Sequence, residues 1–303
     1  MNKLAVNFAG VDFKNPVIPA SGTFGYGREY EEFYPLSLLG GISVKGTTEK
    51  MRMGNPPPRI AEAPSGMLNS VGLQNPGVDR FISNELPYLM KKDTVIIANM
   101  AGSTVDGYRE VAEKLDGTDV HMLEVNISCP NVKAGGAAFG VSCEGAAAVT
   151  KAVRAVTKKP IMIKLSPNVT NIAEIAKAVE AEGADAVSLI NTLLGMRIDI
   201  KTKRPVLRNN VGGLSGPAVF PIALRMVWQT ANAVKIPVCG MGGISSWEDA
   251  VEMMMAGAST VQVGAAIFSD PNAPIKIIEG LEKYVNDNRL NSITDIIGAV
   301  KPW

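Results

Sequence analysis

The stretch NISCPN, Asn126 to Asn131, sets a thiol between two carboxamides directly after an apolar run, HMLEV. A thiol ordinarily titrates near pKa 8.5, and nearby donors and cations can bring it toward neutrality, so Cys129 could serve as a proton acceptor. The alternative is a small buried thiol where a strand ends. Lys45 and Lys164 each leave a short apolar run, and Ser21, Asn99, Asn126 and Asn191 stand at or just beyond the ends of others. Ammonium groups so placed can oppose negative charge developing on a bound molecule. CGMGGISSWEDA passes through Gly242 and Gly243 into a helical pattern that Ser245 or Ser246 can cap, and VGAAIF adds Gly264. Amide donors at such a helix start welcome an anion, phosphate above all. GGLSG, ending at Gly216, offers a third glycine lip. His121 lies inside or before a strand and reads as structural.

These groups need a scaffold that gathers strand ends. Eight apolar, β-branched runs recur along the chain, at 16–20, 41–46, 95–100, 122–128, 161–166, 186–191, 236–241 and 260–268, separated by longer amphipathic segments. That is the pattern of βα units around a parallel sheet. Eight such units close a (β/α)8 TIM barrel, whose usual length of roughly 250 residues plus insertions suits this chain. An open doubly wound sheet is the alternative, but no GxGxxG follows the first strand. In a barrel the strand C-termini converge on one mouth, which is where the lysines and asparagines fall. LAVNFAGVDFKNP alternates and turns at Ala9-Gly10, an N-terminal β-hairpin expected to close the barrel bottom. Two long inserts, 51–77 and 192–218, are expected as loops over the C-terminal mouth, the second holding a short hairpin. No linker or composition shift divides residues 1–303, which read as a single domain.

The composition narrows the partners. Thirty basic and 29 acidic residues leave a formal charge of +1, which provides no global field for nucleic acid or an anionic membrane. Cys129, Cys143 and Cys239 are too few and too scattered for a disulfide framework, an iron–sulfur cluster or a zinc site, so no metal is expected. A reducing, cytoplasmic setting fits, and the N-terminus lacks the features of a signal peptide. A phosphate lip beside two lysines and several carboxamides suits flavin mononucleotide, FMN, with its phosphate on the glycines and its ring on amide partners and a counter-charge. A sugar-phosphate enzyme using Lys164 as a Schiff base stays open on these grounds.

Taken together and in order, IPASGTFGYG, VKGTT, GNPPPRIAEAPSGMLNSVGLQNPG, LEVNISCPNVKAGGAAFG, IKLSPNVT, LINTLLGMR, GGLSGPA and GMGGI resemble the dihydroorotate dehydrogenases, nearly end to end. The likeness is closest to the class 1B, NAD-linked catalytic subunits. It implies a flavin-bearing (β/α)8 barrel that oxidises (S)-dihydroorotate to orotate in pyrimidine (UMP) biosynthesis. By this resemblance Cys129 is the general base that takes a proton from carbon five, while hydride leaves carbon six for FMN. It further implies a substrate cradle of Lys45, Asn69, Ser70, Val71, Gly72, Leu73, Asn126, Asn131, Asn191 and Thr192. Asparagines suit such a cradle because each offers donor and acceptor. The matching flavin positions are Ser21, Lys45, Gly46, Asn99, Asn126, Lys164, Ile190, Gly216, Gly242, Gly243, Gly264 and Ala265. Many relatives carry threonine in place of Ala265, and Cys143 has no evident role.

Class 1B subunits work with an electron-transfer subunit carrying FAD and a [2Fe–2S] cluster. This sequence has neither the four-cysteine spacing nor the dinucleotide fingerprint to hold them itself. The resemblance therefore implies that partner, with a homodimer of this chain inside a heterotetramer. A class 1A-like enzyme passing electrons to fumarate is the alternative. A tRNA-dihydrouridine synthase would need an RNA-binding surface that the balanced charge does not provide, and a non-catalytic barrel gives no reason for Lys45, Asn126, Cys129 and Lys164 to occur together.

Overall fold

Eight short runs of apolar residues form eight parallel strands: Val17–Pro19, Gly41–Ser43, Val95–Met100, Met122–Asn126, Ile161–Lys164, Ala186–Leu189, Val238–Met241 and Ala258–Val263. These are numbered first to eighth below. The computed structural model describes residues 2–128 and 139–303. From the second to the eighth, each strand pairs with the next in sequence, and the eighth also pairs with the first. The remaining seam is bridged by Gly40, whose N–H donates to Val17 O at 3.1 Å. The result is the (β/α)8 barrel expected from the sequence.

Helices over Val105–Asp116, Cys143–Arg154, Ile172–Ala181, Phe220–Ala231 and Trp247–Met255 follow the third to seventh strands, and Ala266–Ser269 and Ala273–Asp287 follow the eighth. Their starts are written locally. Thr104, Ser142, Asn171 and Ser246 each stand at the N-cap and accept a hydrogen bond from an amide two or three residues on. The inward faces, such as Tyr108, Val111 and Leu115, are buried against the strands.

The N-terminal hairpin pairs Val6–Phe8 with Val11–Phe13. Ala9 and Gly10 both take positive φ, 51° and 81°, as a tight hairpin turn requires. Phe8 and Phe13 are buried and meet edge to face at 6.2 Å. A Cβ placed on Gly41, at the start of the second strand, would lie 2.7 Å from the Phe13 ring, so the hairpin does close the barrel's lower end.

Above the mouth the two inserts form one structure. Ile60–Ala63 and Gly66–Asn69 of the first join Leu193–Gly195 and Gly212–Ser215 of the second in a four-stranded antiparallel sheet. The central register pairs Gly213 with Asn69, Leu214 with Leu68 and Ser215 with Met67. The second insert also holds the expected short hairpin, Ile198–Asp199 against Arg204–Pro205. Strand pairing between the inserts is a finding the sequence analysis did not reach.

Candidate active site

The upper barrel interior is polar where barrels usually carry bulky aliphatic side chains. Ser43, Glu124, Ser188 and Gln262, from the second, fourth, sixth and eighth strands, are all fully buried and meet as one layer. Glu124 is its centre. Its Oε2 accepts from Ser43 Oγ and Asn99 Nδ2, both at 2.6 Å, and its Oε1 accepts from Gln262 Nε2 at 2.7 Å and Ser188 Oγ at 2.8 Å. Burial alone would raise the Glu124 pKa. The Lys164 ammonium and the hydrogen bonds from Ser43, Asn99 and Gln262 outweigh it and hold the carboxyl below its usual range.

Over this layer lies a cavity of about 270 Å³ at the C-terminal ends of the strands. Its walls carry Ser21, Lys45, Gly46, Asn99, Asn126, Lys164, Ile190, Asn191 and Thr192 from the barrel. Asn69, Val71, Gly72, Leu73 and Gly216 reach it from the inserts, and Gly242, Gly243, Gly264 and Ala265 from the turns after the seventh and eighth strands. Every described residue of the expected substrate cradle and flavin set therefore borders this one cavity except Ser70. That residue is buried behind the wall, where its N–H donates to Arg59 O and its carbonyl accepts from Asn55 Nδ2. Cys129 and Asn131 lie outside the described residues.

Local contacts fix these side chains. The Tyr108 hydroxyl, buried in the helix after the third strand, donates to the carbonyl of Asn126 at 2.7 Å. Ser128 Oγ donates to Asn126 Oδ1 at 2.7 Å and accepts from Asn191 Nδ2, so one hydroxyl couples the ends of the fourth and sixth strands. Asn168 Nδ2 donates to Thr192 O and its Oδ1 accepts from Leu194 N, which ties down the start of the second insert. Asn75 does the same for the first insert, accepting from the amides of Thr48 and Gly77 and donating to Leu73 O.

The glycine turns divide into two kinds. Gly242 and Gly243 take φ of 117° and 80°, which L side chains rarely adopt. Gly264 is not so strained, and a Cβ on it would meet nothing nearer than Ala20 Cβ at 3.8 Å, so its bare Cα leaves room inside the cavity. The helix start beyond Gly243 differs from expectation. Ser246 does cap Trp247–Met255, but the amides of Ser245 and Ser246 both donate to Asp249 Oδ2, at 2.8 and 2.9 Å. The chain's own carboxylate thus occupies the place expected for an anion, and neither serine borders the cavity.

Sequence reasoning missed Glu124 and Gln262, both inside apolar strands, and the wall residues Thr23, Arg52, Met67 and Phe268. A charged residue in HMLEVN and a carboxamide in TVQVG were the available signals. Cys239 is buried, and burial pushes its thiol up to about 12. His121 Nδ1 accepts from the Ile96 amide at 3.0 Å, away from the mouth, and burial lowers its pKa. Among the described residues no three His, Cys, Asp or Glu side chains are grouped to hold a metal, and no helix is long and apolar enough to cross a membrane.

Residues 3–285 match the family described as dihydroorotate dehydrogenase. The chain belongs to the dihydroorotate dehydrogenase family. Within it, the chain is 57% identical over 301 residues to a protein of Parabacteroides distasonis named dihydroorotate dehydrogenase B (NAD(+)), catalytic subunit, covering 99% of each chain. Proteins of the same name from Alkaliphilus oremlandii and Bacteroides thetaiotaomicron are 56% and 55% identical, over 297 and 302 residues. Coverage is 98% of both chains in the first case, and 99% of this chain and 100% of the relative in the second. The likeness to these family members spans both the barrel and the inserts.

Proposed function

We propose that this chain is the flavin-dependent catalytic subunit that oxidises (S)-dihydroorotate to orotate in pyrimidine biosynthesis and passes electrons to NAD. One observation carries the reading. Lys45, Asn99, Asn126, Lys164 and the glycine turns after the seventh and eighth strands line one cavity, in a chain 57% identical to an NAD-linked catalytic subunit.

The residues present fit FMN. Asn99 Oδ1 and Gln262 Oε1 are buried acceptors with no partner among the described residues, and the space beside Gly264 is open to a phosphate or ribityl group. FMN would be held by Ser21, Lys45, Gly46, Asn99, Asn126, Lys164, Ile190, Gly216, Gly242, Gly243, Gly264 and Ala265. When bound, it supplies the acceptor for the electron pair leaving carbon six of the substrate.

The chain's own groups do the rest. Lys164 and Lys45 bring positive charge to a buried mouth, where it opposes negative charge on ring and carboxylate more strongly than in water. Asn69, Asn126, Asn131, Asn191 and Thr192, with the backbone from Ser70 to Leu73, orient the planar pyrimidine. The Cys129 thiolate takes the proton from carbon five.

Residues 1–303 act as one FMN-binding unit. A partner subunit carrying FAD and a [2Fe–2S] cluster completes the path to NAD, in a cytoplasmic heterotetramer built on a homodimer of this chain. The test is the visible spectrum of the purified chain, which should be that of a flavin and should bleach anaerobically with dihydroorotate. A colourless protein that cannot be reconstituted with FMN sinks the reading, and fumarate reduction by the lone chain would redirect the electrons from NAD.

A further inference from the structure

The polar layer has a feature that ligand contact alone does not explain. Asn99 and Gln262, on the third and eighth strands, are completely buried, and both place their amide nitrogen on the same carboxylate. An ionised carboxylate only accepts hydrogen bonds, so the NH2 of each side chain is the end that faces Glu124. The carbonyl end is then turned the other way. Among the described residues, that oxygen has no hydrogen-bond partner in either side chain. Asn99 and Gln262 line the cavity, whereas Glu124 lies beneath them and does not. Two buried acceptors left open are costly unless a ligand satisfies them.

We propose that Glu124 is a positioning residue. By taking the amide hydrogens of Asn99 and Gln262, it sets two carbonyl oxygens as an acceptor pair toward the cavity and so selects a ligand that brings an N–H donor to its floor. On the FMN reading given above, on which this inference rests, the donor is the N3–H of the flavin ring, the one ring N–H of the oxidised form. The selection comes from the carboxylate. A carboxamide in its place would carry an NH2 of its own. That NH2 needs an acceptor, and the hydroxyls of Ser43 and Ser188 and the reversed amides of Asn99 and Gln262 compete to provide one. Reversing either amide removes one oxygen from the floor and puts an NH2 against the ring N–H.

The experiment uses the full chain stripped of flavin and reloaded with FMN carrying ¹⁵N at N3. It reads the FMN dissociation constant by fluorescence quenching and the N3 chemical shift by NMR. The wild-type chain should bind FMN with N3 in the hydrogen-bonded range. Glu124→Gln should move N3 upfield and weaken FMN by roughly tenfold, the scale of one lost buried hydrogen bond. Glu124→Asp keeps an acceptor-only group and should restore the N3 position even where affinity falls, which general loosening of the barrel would not do. Should Glu124→Gln not fold, Gln262→Met reads the same property by removing one acceptor while leaving the carboxylate in place, and it too should move N3 upfield. Wild-type binding with N3 unmoved in a folded Glu124→Gln or Gln262→Met chain overturns the proposal alone. A wild-type chain that does not bind FMN overturns it together with the functional reading.

Discussion

Gly213 stands in register with Asn69 across the two inserts, and a Cβ on Gly213 would lie 2.0 Å from Thr192 Oγ1. The covering sheet can therefore seat itself on the sixth strand's outgoing loop only where this position is bare. Gly213→Val should cost about 1–3 kcal/mol, as overpacking in a tight site does. It should also weaken orotate binding, because Asn69 and Thr192 are displaced together. Thermal unfolding and orotate titration check this, and unchanged values in both would remove the close approach from the account.

Gly264 offers the opposite case. Its backbone is not left-handed and its absent side chain borders open space, so Gly264→Val should fold with a melting temperature close to wild type when flavin is absent. It should lose at least about tenfold in FMN affinity, because the added methyl groups occupy ligand volume and force strain or displacement. Equal FMN affinity in the two chains would move the phosphate or ribityl group elsewhere.

Asp249 separates two accounts of the anion site. Asp249→Ala removes the capping box and should cost about 1 kcal/mol in stability. It also frees the amides of Ser245 and Ser246. If Gly242, Gly243 and Gly264 hold the phosphate, FMN affinity should stay unchanged. A gain in affinity would return the anion to the helix start.

Acid stability should depend on Glu124. Its carboxyl titrates lower in the folded chain than in the unfolded one, where the value is about 4.3, so between the two the unfolded state binds more protons and stability rises with pH. The contribution is present above the unfolded value and disappears as pH falls through the folded one. The gap in melting temperature between wild type and Glu124→Gln should narrow from pH 7 toward pH 3. A constant gap would mean that the carboxyl gains nothing from Lys164 and its hydrogen bonds.

Cys129→Ala should bind orotate nearly as wild type does while its flavin-reduction rate with dihydroorotate falls by about 10²–10⁴-fold, the range for loss of a general base. Rapid-mixing measurements of flavin bleaching check this. A wild-type rate would remove the thiol from proton transfer.

The barrel was legible because its eight strands are dense apolar runs, and the mouth was legible because lysine and asparagine end those runs. The covering sheet was not. Leu193–Gly195 and Gly212–Ser215 are short and glycine-rich, and the partner of Gly213 is Asn69, far away in sequence, so no local pattern announces the pairing. Glu124 and Gln262 were hidden for a different reason. Strand periodicity assigns interior positions to the core, and the two residues occupy interior positions, so only their chemistry set them apart. The occupied helix start could have been read from S-W-E-D, since Ser246 followed by Asp249 is the spacing of a capping box.

Glu124 extends from the fourth strand to Gln262 on the eighth, across the full width of the barrel, while Ser43 and Ser188 hold it from the other two walls. It is a cross-brace. A ring of eight strands can flatten toward an ellipse with little change in its ladder bonds, and a brace anchored on four walls resists that distortion. The cross-section of the mouth, and with it the spacing between Lys45, Asn126 and Lys164, is thereby set from inside the barrel as well as by the helices around it.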